Sequence, residues 1–405
     1  MFGALRLPRN ILFGRGQRAA LGSAVARLGR HALLCTDPRQ AAQPEFEAML
    51  ADLAANGVET FVFQGVIPDL PLESIAACVG DVRHFPVDVV VGIGGGSSID
   101  LAKVVAVLLT HGGVPSDYYG EFAVPGPVMP LVAVPTTAGT GSEVTPVAVV
   151  SDTERGLKIG IASPHLIPQI AICDPELTVT CPPVLTAVSG SDALTHAVEA
   201  FTTLARPIDP MLTEQHVFVG KNALSDHFAR LAIANLFRYL ERAFRDGSDL
   251  EARDGVMLAA LAAGCAFGTA GTAAAHALQY PVGNLTHTAH GAGVATLLPY
   301  VMQYNRPACA PVFAELADLI GVGSGGADEK SQAFIDAVAD LLAKVEIPAT
   351  LAALGLTEDQ QDFVAENSLN AARLVKNNPR PLDLTAMQAI TRAAFTGDRR
   401  HLATL

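Results

Sequence analysis

The first half of the chain alternates short apolar, β-branched runs with longer stretches of helical periodicity. His31–Thr36, Glu59–Phe63 and Asp88–Ile93 predict strands. Arg39–Asn56, Leu72–Val82 and Ser98–His111 predict the helices between them. Further strand-like runs stand at Leu131–Pro135, Thr145–Val150 and Ile170–Cys173. Alternation of this kind predicts an α/β domain with a parallel sheet. Beyond Pro182-Pro183 the pattern turns to long helices without strands. The clearest are Arg230–Phe244, Asp254–Leu278, Val312–Ile320 and Lys330–Val345. The expected division is an α/β domain over 1–185 and an all-α domain over 186–405.

One apolar stretch needs a separate reading. Val256–Leu278 carries no charge and is long enough to span a bilayer. It is mostly Ala, Gly and Thr, and no aromatic belt or basic cluster flanks it. It reads as a tightly packed core helix, so no membrane partner is expected. The formal net charge of −13 argues against a nucleic-acid partner. The six cysteines form no CxxC pair, and the N-terminal run is too polar for a signal peptide. Both features suit free thiols in the cytoplasm.

Two constellations carry candidate chemistry. In Asp88-Val-Val-Val-Gly-Ile-Gly-Gly-Gly-Ser-Ser-Ile-Asp-Leu-Ala-Lys103 a strand meets a glycine turn and a helix start. Gly94, Gly95 and Gly96 let a ligand approach the backbone, and Ser97 or Ser98 is placed to cap the helix. The segment Gly94–Asp100 is therefore a candidate pyrophosphate site. A purely structural turn is the plainer alternative. A second small-residue loop, Val134-Pro-Thr-Thr-Ala-Gly-Thr-Gly-Ser-Glu-Val-Thr-Pro146, offers the hydroxyls of Thr136, Thr137 and Thr140. Asp37 ends the first clear strand, ahead of the glycine turn. In the standard dinucleotide fold the ribose-binding acid follows the turn, so a different nucleotide arrangement is indicated.

The other constellation is metal-like. Asp192 and His196 stand four residues apart, on one face of a predicted helix, and His276 and His290 follow later. One carboxylate with three imidazoles suits Fe2+ or Zn2+ better than Mg2+ or Ca2+. Read by themselves, the same residues also fit a hydrogen-bonded polar core. Glu199, three residues after His196, fits a partner for a ligand or an ordinary helix ion pair.

Together these stretches resemble the iron-containing (group III) alcohol dehydrogenase family, in the dehydroquinate synthase-like superfamily. The match rests on the glycine turn, Pro135-Thr-Thr-Ala-Gly-Thr-Gly-Ser-Glu-Val-Thr145, Ser191-Asp-Ala-Leu-Thr-His-Ala-Val-Glu-Ala200, the His276–His290 segment and Asn378-Pro-Arg-Pro381. They run over nearly the whole chain in the family's order. The resemblance implies an N-terminal NAD-binding α/β domain and a C-terminal helical metal-binding domain. It places metal ligands at Asp192, His196, His276 and His290 and a cofactor-side lysine at Lys158. The implied reaction is hydride transfer between NAD(H) and a small alcohol or aldehyde, in a homo-oligomer with a dimer as the expected state. Same-fold alternatives are a hydroxyacid–oxoacid transhydrogenase and a maleylacetate reductase. A dehydroquinate synthase-like lyase is a more distant one.

The sequence departs from the family's pattern twice. Tyr280 stands where the family often has a second histidine tied to proton transfer. Pro281 is expected to end the helix there. That leaves Tyr280 to orient substrate, with proton release through water, ribose hydroxyls or His287. Asp69 stands where the family often has an asparagine, in Pro68-Asp-Leu-Pro71.

Overall fold

The computed structural model describes residues 1–152 and 157–404. The chain forms two compact units, neither continuous in sequence. One comprises Arg6–Cys181 with Glu214–Val217; the other comprises Met1–Leu5, Pro182–Thr213 and Phe218–Leu405.

In the first unit the strands are β1 (Asn10–Phe13), β2 (His31–Cys35), β3 (Glu59–Phe63), β4 (Val89–Gly94), β5 (Gly120–Glu121), β6 (Leu131–Pro135), β7 (Val147–Asp152), β8 (Leu157–Ala162) and β9 (Ile170–Cys173). Six form a parallel sheet in the order β1-β9-β6-β4-β2-β3. β7 and β8 pair antiparallel in a second sheet, with β5 beside β8. Strands β1, β5 and β8 were not among the runs read from the sequence; β5 has two residues, and Lys158 and Gly160 interrupt the apolar positions of β8.

Alternation explains the burial of both sheet faces. Leu33 and Val90 pack into one core cluster with Ile75, Leu101 and Val104. Their neighbours Ala32, Leu34, Val89 and Val91 pack into the other with Leu21, Phe46 and Leu53. A strand buried on both faces reads as a continuous apolar run, which is why β2 and β4 were legible.

The helices are α1 (Leu21–Ala26), α2 (Pro38–Ala41), α3 (Pro44–Ala55), α4 (Leu72–Val82), α5 (Gly96–His111), α6 (Pro183–Thr202), α7 (Leu212–Gln215), α8 (Ala223–Arg245), α9 (Leu250–Ala270), α10 (Ala274–Thr286), α11 (His290–Ile320), α12 (Ala327–Lys344), α13 (Gln361–Ser368), α14 (Ala372–Asn377) and α15 (Leu384–Thr396). The single helix expected over Arg39–Asn56 is two, because Pro44 opens a new one.

The single helix expected over Asp254–Leu278 is also two. α9 ends at Gly271, which takes φ 84°, and α10 leaves at a bend of 103°. Asn377 Nδ2 braces the break by donating to the carbonyls of Ala270 and Thr272, each at 3.0 Å. α9 is buried nearly all round by small residues. Among the described residues no single helix is long and apolar enough to cross a membrane; the bent α9–α10 pair passes only together.

Pro281 does not end α10. It lies inside the helix, which runs on to Thr286 and closes at His287 in the left-handed region, φ 53°. Buried packing of Pro281 and Val282 offsets the missing backbone bond. The run expected at Val312–Ile320 is the end of the 31-residue α11, which accommodates three prolines.

Candidate metal centre and nucleotide site

In the helical unit three elements bring the metal-like residues together. α6 carries Asp192 and His196, α10 carries His276, and His290 is the first residue of α11. Gly291 sets the approach of α11 to α6. A Cβ there would stand 2.3 Å from the Val188 carbonyl oxygen and 3.0 Å from Asp192 Cβ.

Asp192 Oδ1 is the centre of the cluster. It lies 3.6 Å from His196 Nε2, 3.8 Å from His276 Nε2 and 3.9 Å from His290 Nε2. These separations exceed a hydrogen bond. Two ligands at roughly 2.1 Å from one tetrahedral ion stand about 3.4 Å apart. The spacing therefore fits donors arranged around a cation better than donors bonded to one another. Ligand atoms of Asp192, His276 and His290 all lie within 4.8 Å of one another. His196 joins through Asp192 and stacks on His276 with ring centroids 4.8 Å apart, its other face on Phe267 at 4.1 Å.

Glu199 orients the set. Its Oε2 accepts from His276 Nδ1 at 2.6 Å and from the Ala273 N–H at 2.8 Å; Oε1 accepts from the Ala275 N–H at 2.7 Å. One carboxylate thus caps the start of α10 and fixes the His276 ring. With Nδ1 as donor, Nε2 is the free lone pair, and it is buried with no hydrogen-bond partner. An unmet lone pair directed toward a carboxylate and two imidazoles fits a divalent metal.

Tyr280 lies one turn beyond His276, partly exposed. Burial holds its phenol above the ordinary range; Glu199 adds to the rise and Arg373 opposes it. His287 is exposed at the end of α10. Gln279 was not singled out in the sequence. It lies 1% exposed beside Tyr280, and neither amide atom has a hydrogen-bond partner in the protein. A polar residue in an otherwise apolar run was the available signal.

In the α/β unit the glycine turn closes β4 and opens α5. Gly94 takes φ 151°, and a Cβ on it would stand 2.4 Å from Ser98 Oγ. The expected serine cap is not present. α5 starts earlier, its N-cap is Gly95 with no side-chain cap, and Ser97 and Ser98 lie in the first turn. The opening N–H groups are therefore left without a side-chain acceptor, which suits an anion.

The hydroxyl loop lies against this turn. Thr136 N–H donates to the Gly94 carbonyl at 2.9 Å. Cβ atoms added to Gly95 and Gly96 would meet Thr137 Oγ1 at 3.5 Å and Thr140 Cγ2 at 2.8 Å. Asp37 Oδ1 caps α2 through the Gln40 N–H at 2.9 Å, while Oδ2 lies 3.6 Å from the Gly94 Cβ position. Capping and facing the glycine turn are thus compatible. Lys158 lies on β8 and pairs with Asp69 at 2.7 Å.

Asp100 points into the protein. Its Oδ1 accepts from Ser142 Oγ at 2.5 Å and its Oδ2 from the Val149 N–H at 2.9 Å, tying α5 to the hydroxyl loop and β7. Lys103 extends the brace, donating to the carbonyls of Thr145 at 2.9 Å and Val147 at 2.8 Å. Burial pushes Lys103 down to about 8, against the attraction of Asp100 and Glu143. Burial likewise pushes Glu143 up to about 7.

Comparison with known proteins identifies the family. Residues 8–175 match the family described as "Iron-containing alcohol dehydrogenase", and residues 212–395 match "Fe-containing alcohol dehydrogenase family, C-terminal". Long-chain-alcohol dehydrogenase 1 of Geobacillus thermodenitrificans is 36% identical over 391 residues, 95% of this chain and 94% of its own. The crystal structure of 1,3-propanediol oxidoreductase superposes with a TM-score of 0.90 at 33% identity, covering 98% of this chain and 100% of that one. Sulfoacetaldehyde reductase from Bifidobacterium kashiwanohense, solved in complex with NAD+, gives 0.83 at 28% identity, with 97% and 99% covered. The chain belongs to the iron-containing alcohol dehydrogenase family and is an oxidoreductase.

Proposed function

We propose that this enzyme transfers a hydride between a small alcohol, aldehyde or ketone and NAD(H), with a divalent metal held by Asp192, His196, His276 and His290. The observation that carries the reading is the convergence of three imidazole Nε2 atoms on Asp192 Oδ1, with Glu199 fixing His276. When bound, the metal supplies a Lewis acid for the substrate oxygen, and NAD supplies the hydride acceptor. Iron agrees with the family, and the same donors suit zinc.

The chain's own residues do the rest. Glu199 keeps the His276 proton on Nδ1, so Nε2 stays a lone-pair donor. Tyr280 offers a hydroxyl donor to a substrate oxygen, and His287, exposed, is suited to passing a proton to solvent. The glycine turn and the start of α5, from Gly94 through Ser97, are suited to the pyrophosphate, with Thr136, Thr137 and Thr140 alongside. Ser98 and Asp100 support that turn from within. Asp37 is suited to a ribose diol and Lys158 to a phosphate. Six buried free cysteines agree with a cytoplasmic setting.

The test is NADH formation by the iron- and zinc-loaded protein with a panel of primary alcohols, and NADH consumption with the matching aldehydes. Turnover with any of them supports the reading; none in either direction with either metal contradicts it.

A further inference from the structure

The loop after β3 stands in a conformation that side chains avoid. Asp69 has φ 64° and Leu70 has φ 48°. Such backbone persists only where contacts over-determine it, and it gathers at functional sites. The contacts lead to the glycine turn. The Asp69 N–H donates to Ser97 Oγ at 3.1 Å, in the first turn of α5. Ser151 Oγ donates to the Asp69 carbonyl at 2.7 Å, and the Ser151 N–H to the Leu70 carbonyl at 2.9 Å. Leu70 is buried.

This pinning presents the Asp69 carboxylate to Lys158, Oδ1 to Nζ at 2.7 Å. The lysine side chain is 9% exposed and the acid 51%. The Asp69 backbone is thus held to the first turn of α5, whose N-cap carries no side-chain acceptor, while its carboxylate holds the cation Lys158.

We propose that Asp69 is an internal counter-ion that competes with the dinucleotide pyrophosphate for Lys158 and so sets cofactor affinity. The inference rests on reading the glycine turn as the cofactor site. An arriving pyrophosphate must break the Asp69–Lys158 pair or lie beside a like charge. Either way, the carboxylate weakens binding relative to a neutral residue of the same shape.

The test titrates the full-length protein with NADH, following its fluorescence. Asp69→Asn should lower the NADH Kd threefold or more, with a steeper salt dependence because Lys158 is released to the phosphates. Asp69→Gly, which also relieves the left-handed backbone, should shift Kd in the same direction. Lys158→Met should raise Kd threefold or more. An unchanged or weaker Kd in both Asp69 variants overturns the proposal, as does an unchanged Kd in Lys158→Met. If the wild-type protein binds no NADH, the cofactor-site reading fails and the inference falls with it. Wild-type binding that ignores Asp69 refutes the inference alone.

Discussion

Glu199 Oε2 lies 2.6 Å from His276 Nδ1, and the same carboxylate accepts the backbone N–H groups that open α10. The His276 ring and the helix that carries it are thus set by one side chain. Glu199→Gln keeps the shape but substitutes a donor for one of the acceptors. Metal affinity should fall 10–100-fold, the usual effect of losing such a partner. Competition with a chelator of known affinity measures this. Unaltered affinity would make Glu199 a helix cap only.

Asp37 should favour NAD(H) over NADP(H). A carboxylate there accepts from a free 2′-hydroxyl and repels a 2′-phosphate. Asp37→Ser retains the cap of α2 and removes the charge. Its kcat/KM ratio for NADP(H) over NAD(H) should rise tenfold or more. A wild-type enzyme that uses NADP(H) equally well would contradict this placement of Asp37.

Tyr280 should orient substrate and take no part as a base. Its phenol titrates above the ordinary value of about 10, which removes it from proton uptake near neutrality. Tyr280→Phe should lower kcat/KM about tenfold, roughly 1.4 kcal/mol, with the pH profile kept in shape. Unchanged kcat/KM would leave the ring as packing.

Glu143 should make stability fall as pH rises through neutrality. Its folded value of about 7 lies above the ordinary carboxyl value near 4.5. The folded state therefore holds the extra proton between those values. The stabilisation is full below about 4.5 and is lost as pH rises through about 7. Glu143→Gln should gain stability over wild type at pH 8 relative to pH 5, in denaturant melts at both. An equal difference at the two pH values would place the charge elsewhere.

The two constellations were legible because chemistry limits their residue types. Glycines suit a turn that approaches phosphate, and Asp with His suits a transition-metal cation, so Gly94–Gly96 and Asp192, His196, His276 and His290 stand out as candidates in a list of letters. The strands β3, β6 and β9 and the helix α4 were read residue for residue, because turn residues bound their apolar runs. What failed depended on tertiary partners. The break at Gly271 is held by Asn377, more than a hundred residues away, and Pro281 is tolerated by packing that no local rule contains. Ser98 was read as a cap by type, yet the chain uses it to fill the space beneath Gly94. Asp100 lies in the segment read as a candidate pyrophosphate site, and its side chain accepts from Ser142 Oγ and the Val149 N–H, partners the sequence does not reveal.

The central claim is that Asp192, His196, His276 and His290 hold one divalent metal. The direct measurement is metal content per chain by plasma mass spectrometry, on protein purified with iron and, separately, with zinc. The account predicts about one metal ion per wild-type chain, and a tenth of that or less in folded His276→Ala and His290→Ala, with turnover lost in step. A folded His276→Ala protein that is metal-free and fully active would contradict it, as would wild-type protein that binds no metal under either loading.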